Sequence, residues 1–154
     1  MTTRANVYIG TDFVGEIMTS AYPVRQTDDF YSSSLWAVME RLDSERATQK
    51  EFETATVAFI NWEQGGEATD YLGQHYGGTS NGVGNWSYEY MWVPFEAPAS
   101  YTDWDSWRGR IMVRTIDHDL TWKRFGSSYV QIPGPWVPLC DWWIWAEEDQ
   151  EQDA

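Results

Sequence analysis

Two histidines and their neighbours are the first residues to consider for catalysis. His118 lies between Asp117 and Asp119, where an imidazole can act as an acid or a base, but an Asp-rich stretch is also typical of a turn. His75 lies in a glycine-rich segment, where solvent exposure is expected. Neither histidine belongs to a spaced group of Cys and carboxylate residues. The sequence therefore predicts no metal site, no cofactor and no catalytic residue.

The single cysteine, Cys140, would need a placed histidine to act as a nucleophile, and the sequence offers no such pairing. Its position between Leu139 and Trp142 instead predicts a buried thiol. A single cysteine cannot form an intramolecular disulfide, which fits a protein of a reducing compartment.

Two acids beside tryptophans suggest a second kind of chemistry. Asp103 and Asp105 flank Trp104 and precede Trp107, which would suit paired carboxylates on an aromatic platform for glycoside hydrolysis. In a chain with 24 Asp and Glu, however, two neighbouring acids are weak support for this interpretation. The glycine-rich stretch 77–84 resembles a phosphate-binding loop only superficially, because it lacks the Lys-Ser/Thr pair.

Charge is the strongest compositional signal. Ten Lys and Arg oppose 24 Asp and Glu, which gives a formal charge of −14, and the acidic C-terminal residues 147–154 account for only part of it. Such a field repels nucleic acid and anionic membranes and accelerates encounters with basic protein surfaces. Acidity for solubility, or in a salt-adapted host, is the alternative.

The elements that would position these residues follow from periodicity. An apolar alternation over 5–9, a turn at Gly10-Thr11-Asp12 and a second run from Val14 predict a hairpin that ends at Tyr22-Pro23. Asp28 and Asp29 are candidate N-caps for a helix through Leu42. Thr48-Gln49-Lys50-Glu51 has the capping-box pattern and predicts a second helix that ends at Gly65-Gly66.

Aromatic residues recur at every second position of the stretch 86–92. This alternation predicts a strand with Trp86, Tyr88, Tyr90 and Trp92 on one face, ending at Pro94. The runs 109–116 and 120–125 flank a short polar connection and predict a second hairpin, which carries a basic cluster. That cluster comprises Arg108, Arg110, Arg114, Lys123 and Arg124. Residues 140–145 are predicted to form a last strand or a packed arm.

Together these elements predict an α+β fold, with an antiparallel sheet of N-terminal and C-terminal hairpins and two helices on one face. Residues 1–146 form the predicted domain, and 147–154 form a disordered acidic tail. The N-terminus lacks the apolar region of a secretory signal, and no run approaches transmembrane length. We therefore expect a cytoplasmic protein, with a homodimer as one possible state.

Thr3-Arg4 at the start, a strand ending in Tyr22-Pro23, the following helix and Tyr88-Glu89-Tyr90 resemble a loose group of small phage and bacterial proteins. This resemblance implies a mobile-element origin and no particular chemistry. In composition, a small acidic chain with few cysteines is also similar to anti-restriction and anti-CRISPR inhibitors, some of which imitate the charge of DNA.

The sequence thus favours a non-enzymatic inhibitor that binds a basic nucleic-acid-binding host protein, and not nucleic acid itself, through an acidic surface. The predicted contact residues are Glu40, Asp43, Glu45, Glu51, Glu53, Glu63, Glu67, Asp70, Glu147, Glu148 and Asp149. The alternative is a protein that binds a nucleotide or carbohydrate with Trp86, Trp104, Trp107, Arg108 and Arg110.

Overall fold

A computed structural model describes residues 4–17, 21–63, 86–98, 106–116, 122–125, 128–131 and 134–152. The fold is α+β, as predicted. A five-stranded sheet has the order β2-β1-β3-β4-β7, and β5 and β6 form a separate two-stranded sheet. The strands are β1 Arg4–Ile9, β2 Asp12–Ile17, β3 Trp86–Glu96, β4 Arg108–Thr115, β5 Trp122–Phe125, β6 Ser128–Gln131 and β7 Val137–Pro138. The helices are α1 Leu35–Ser44, α2 Gln49–Glu63 and α3 Trp142–Gln152.

The N-terminal hairpin is confirmed. Strands β1 and β2 are antiparallel, and Ile9 pairs with Asp12 across a two-residue turn. Gly10 in that turn has a φ of 58°, a conformation that suits glycine, and its N–H donates to the Trp92 carbonyl oxygen. The hairpin is therefore tied to β3, which runs parallel to β1. The sheet is consequently mixed and not wholly antiparallel.

The predicted C-terminal hairpin, in which the runs 109–116 and 120–125 would pair with each other, is wrong. Strand β4 lies between β3 and β7, whereas β5 pairs with β6 at Trp122 with Gln131. The basic cluster is thus divided between two sheets. Strand β3 also continues past Pro94 to Glu96, with an irregularity in its pairing to β4 at that point. A proline lacks only its own donor, so a local break in the ladder allows the strand to continue.

The edge of β4 is covered by three different segments. Strand β7 pairs only with Met112 and Val113. Before this pair, the Ile111 and Gly109 amides donate at 2.9 Å to the Asp43 carboxylate and the Ala47 carbonyl oxygen. These acceptors belong to the end of α1 and the α1–α2 corner. The helical layer therefore satisfies backbone donors at a sheet edge that would otherwise be exposed.

The two central helices begin at side-chain caps. Ser34, and not Asp28 or Asp29, caps α1 by accepting from the Ala37 amide at 3.1 Å, and only a short 3-10 turn precedes it. The capping box of α2 is confirmed. The Glu51 amide donates to Thr48 Oγ1 at 3.2 Å, and the Thr48 amide donates to Glu51 at 2.9 Å.

Aromatic rings join the helical layer to one face of the sheet. Trp36 of α1 is fully buried and contacts Tyr90 edge to face, with ring centroids 6.1 Å apart. Tyr90 also donates to the Ala21 carbonyl oxygen, which provides the partner that a buried phenol needs. The predicted aromatic face of β3 is confirmed for Tyr88, Tyr90 and Trp92, which are all buried.

The C-terminal segment Trp142–Gln152 is a helix, so the strand that we predicted for residues 140–145 is wrong, whereas its packing against the core agrees with the alternative of a packed arm. Trp142 of α3 is buried against Trp36 and Tyr88, and Trp145 packs on it at 5.0 Å. Trp142 and Trp145 are three residues apart, so one side of a helix delivers both rings to the core. The backbone of residues 147–152 continues this helix.

Candidate functional site

The acids predicted to form a contact surface on α1 have structural roles. The Asp43 carboxylate is 5% exposed and binds Arg110 in a bidentate pair, at 2.9 Å to Nε and 3.0 Å to Nη2. It also accepts from the Ile111 amide. Glu40 is half-buried, and desolvation raises its pKa. Asp43 therefore holds α1 to β4 and is not available to a partner.

Acids of the α1–α2 corner and of α2 remain at the surface. Glu45, Glu51 and Glu53 are exposed, whereas Glu63 is half-buried. A groove of about 640 Å³ runs between the helices, with Arg41 and Lys50 lining it beside Glu45 and Glu51. Charge along this groove is mixed and not uniformly negative. Glu67 and Asp70 lie outside the described residues.

The end of α3 carries the densest acidic sequence in the described part of the chain. Glu147, Glu148, Asp149 and Glu151 fall in its last turns, and no basic residue is present in the last turn. Glu147 is exposed and forms an ion pair with Arg25 at 2.8 Å. The Arg25 guanidinium also lies 4.2 Å from the ring centre of Trp143. The segment around residue 25 is thereby held against α3.

An exposed apolar residue precedes this acidic end. Ile144 of α3 is 60% exposed. Positions 144, 147, 148 and 151 are separated by three, four and seven residues, so they recur on one side of the helix. That side combines an exposed apolar residue with an acidic sequence.

The predicted ligand-binding residues are only partly brought together. Arg110 is already neutralised by Asp43, and Arg108 donates to the Arg46 carbonyl oxygen at 3.3 Å. Trp107 is half-buried and lines a cleft of about 170 Å³ with Gln49, Trp92 and Pro94. Trp86 is the first residue of β3, whereas the cleft lies near the other end of that strand. Trp104 lies outside the described residues.

A polar row on the opposite face of the sheet was not anticipated from the sequence. The pairing aligns Glu16, Asn6, Glu89 and Arg114 across β2, β1, β3 and β4. Three of them, Glu16, Asn6 and Glu89, are buried. The alternation in β3 placed Glu89 on this face, but only the strand order reveals its neighbours.

Glu89 is bound from two sides in this row. Arg114 Nε donates to Glu89 Oε1 at 2.7 Å, and the Tyr8 hydroxyl donates to Oε2 at 2.8 Å. Burial, together with the Glu89 carboxylate, raises the pKa of Tyr8 well above its usual value, so the phenol remains a donor. The Arg114 guanidinium also covers the Trp136 ring at 4.6 Å. These contacts satisfy Glu89, as expected of a structural ion pair.

Cys140 departs from its prediction, because its thiol is exposed and free rather than buried. Partial desolvation and the neighbouring Asp141 and Asp43 carboxylates raise its pKa, although Arg110 lies 3.5 Å from its sulfur. A raised pKa disfavours the thiolate and therefore nucleophilic reactivity. His75, His118, Asp103, Asp105 and the stretch 77–84 lie outside the described residues. Among the residues that are described, no group of three or more His, Cys, Asp or Glu could hold a metal ion.

Compared with protein-family models, with curated proteins and with solved structures, the chain shows no match. In the described ranges, no helix has the length and apolar character needed to cross a membrane.

Proposed function

We propose that this chain is a non-enzymatic inhibitor of phage or mobile-element origin, of the anti-restriction or anti-CRISPR type. It binds a basic nucleic-acid-binding host protein through an acidic surface that imitates the charge of DNA. The observation that carries the proposal is the acidic C-terminal half of α3, in which four Asp and Glu fall within five positions of a helix packed into the core through Trp142.

This half of α3 is unfavourable for the isolated helix. Like charges three or four positions apart repel each other, and acids at a helix C-terminus meet the negative end of the helix dipole. Each effect costs a few tenths of a kcal/mol up to about 1 kcal/mol. A cationic partner surface offsets both costs when it binds, so the arrangement is better suited to a complex than to the free chain.

The internal ion pairs support the same proposal. Four arginines, Arg25, Arg46, Arg110 and Arg114, each bind a carboxylate within the chain. Ten basic residues cannot neutralise 24 acids, so a net charge of −14 remains whatever the pairing within the chain. That surplus attracts a basic surface at long range and accelerates association.

The contact surface that we propose is narrower than the one predicted from sequence. It combines α3 from Ile144 to Glu151 with the exposed acids Glu45, Glu51 and Glu53, and it leaves out Asp43. Ile144 supplies an apolar anchor beside the charged positions. Nucleotide binding is less well supported, because Arg110 already forms an ion pair with Asp43 and the aromatic cleft is small.

Competition with DNA for a basic host nuclease or CRISPR effector complex tests the proposal. Asp149→Lys is expected to weaken inhibition roughly three- to tenfold, the effect of one or two lost charge contacts. Asp12→Lys makes the same change in net charge at an exposed position at the start of β2, and serves as the matched control. Raising NaCl from about 0.1 to about 0.5 M should weaken binding as the charges are screened.

Two results would overturn the proposal. One is that the chain inhibits none of the nucleic-acid-binding complexes tested. The other is binding that is unchanged by salt and by Asp149→Lys, which would leave the acidity as a determinant of solubility only.

A further inference from the structure

A small aromatic cleft lies where the end of β3 meets the start of α2. Gln49, Trp92, Pro94 and Trp107 line it, and its volume is about 170 Å³. Sites for drug-sized ligands are larger, at roughly 300–1,000 Å³. The cleft therefore has room for one ring or one side chain and not for a nucleotide. Its walls are two indoles and a pyrrolidine, with the Gln49 carboxamide as the polar group.

The floor of the cleft is fixed by the fold. Trp92 donates through Nε1 to the Ala47 carbonyl oxygen at 2.9 Å, so its polar edge is satisfied inside the protein. Gly109 lies directly against the same indole, and a Cβ at that position would overlap the ring. The hydrogen bond and this close approach hold the indole in one orientation. The site is thus preorganised, which lowers the cost of binding.

Among the described residues, two arginines close to the cleft each have a glutamate nearby. Arg46, which precedes Ala47, binds Glu96, two residues beyond Pro94, at 3.0 Å. Arg108 follows Trp107 in the chain, bridges to Thr48 and attracts the carboxylate of Glu51. Two arginines are thereby matched by two glutamates. A neutral apolar group suits this site better than a charged one.

We propose that the cleft is a binding site for a proline residue in an extended peptide segment. The proline ring is neutral, fits a volume suited to one ring, and packs its C–H groups on the faces of aromatic side chains. Aromatic-lined grooves recognise proline-rich segments in this way, because the polyproline II conformation is largely formed before binding. Gln49 is placed to hydrogen bond to the backbone of the same segment. The site is separate from the acidic surface and does not depend on the function proposed above.

Titration of the full-length ¹⁵N-labelled chain with an acetylated proline hexapeptide tests this site by NMR. The indole N–H signals of Trp92 and Trp107 are expected to shift and saturate, with a Kd of roughly 0.1–1 mM, typical of a small contact. Gln49→Trp fills the cleft from an exposed helical position and should weaken binding about tenfold without affecting folding. Trp107→Ala should weaken it similarly. Trp62→Ala removes an indole that is 64% exposed elsewhere on α2 and should leave the affinity unchanged.

The controls separate proline recognition from other outcomes. A Gly-Ser peptide of the same length should produce no saturable shift. Affinity should be the same at about 0.05 and about 0.5 M NaCl, in contrast to binding through the acidic surface. Shifts that persist in Gln49→Trp, or tighter binding of a leucine peptide or a monosaccharide, would overturn the proposal. So would the lack of any saturable shift.

Discussion

Two ion pairs of this chain differ chiefly in burial, which decides what each residue contributes to stability. The Glu89 side chain is 8% exposed in its pair with Arg114, whereas Glu96 is 50% exposed in its pair with Arg46. Removing one partner of a buried pair leaves the other charge without compensation, whereas exposed pairs are weakened by water and salt. The same chemical change at the two glutamates should therefore have different effects.

We predict that Glu89→Gln lowers the free energy of unfolding by about 2–3 kcal/mol, since it leaves Arg114 beside a neutral amide. Glu96→Gln should cost less than about 0.5 kcal/mol. Urea denaturation of both variants, followed by circular dichroism, measures the difference. Equal effects of the two substitutions would show that Glu89, in the polar row, is as well solvated as the exposed Glu96.

The carboxyl group of Glu40 should make the stability of the fold depend on pH. No described residue forms a hydrogen bond with its buried Oε1 atom, and desolvation raises its pKa, while Trp36 and Tyr31 oppose that rise without cancelling it. A glutamate whose pKa is raised on folding favours the fold when it is protonated. Its favourable contribution is present in acid and is lost as the pH rises through the folded-state pKa.

Glu40→Gln should therefore stabilise the chain at neutral pH, by roughly 1 kcal/mol, the net scale of one polar contact. The gain should disappear in acid, where Glu40 is itself protonated. Unfolding curves for both proteins between about pH 4 and pH 8 measure this, with the exposed Glu53→Gln as control. A gain that is constant across this range would exclude titration of Glu40 as its cause.

At the scale of elements, α2 depends on its N-terminal cap. Thr48 is bonded reciprocally with Glu51, so Thr48→Ala removes one of the two bonds of the capping box. We expect a loss of about 1 kcal/mol in unfolding free energy. Thr54→Ala makes the same chemical change at an exposed position within the helix and should be neutral or slightly stabilising, because alanine favours helix. Thermal unfolding of both variants provides the comparison.

The elements that the sequence predicts well are those whose signals are local. The β1–β2 turn, the capping box of α2 and the alternation through Tyr88, Tyr90 and Trp92 each lie within a dozen residues. Partners of strands are set by tertiary contacts, so neither the β1–β3 pairing nor the β5–β6 pairing follows from the sequence. In the same way, the sequence of α1 suggests that Asp43 is a surface acid, and only the position of β4 shows that Asp43 binds Arg110.

The helix α3 shows why composition can mislead. Trp142, Trp143, Ile144 and Trp145 are residue types that favour strands when considered one at a time. In the fold, Trp142 finds its contacts with Trp36 and Tyr88, and packing overrides that preference. The backbone of the acidic residues that follow continues the helix to Gln152. The sequence already suggests Glu147, Glu148 and Asp149 as contact residues, but that they lie on a helix follows only from the core contacts of the preceding tryptophans.

At the scale of the whole molecule, the net charge of −14 implies that salt should change stability and binding affinity in opposite directions. Surplus negative charge destabilises the compact free chain by self-repulsion, so screening should stabilise it. Screening should also weaken the proposed binding to a basic partner. We predict that moving from about 0.05 to about 0.5 M NaCl raises the melting temperature of the free chain by a few degrees, while the affinity for its partner falls.

Asp149→Lys should reproduce both effects at low salt, because it removes repulsion and a binding contact together. Differential scanning calorimetry and binding titrations on the same samples measure the two quantities. A variant that gains stability and loses affinity identifies the acidity of α3 as functional, since solubility alone would not require a cost in folding. A variant whose affinity is unchanged would place the binding energy elsewhere, with Ile144 and the exposed acids of α2 as the next positions to change.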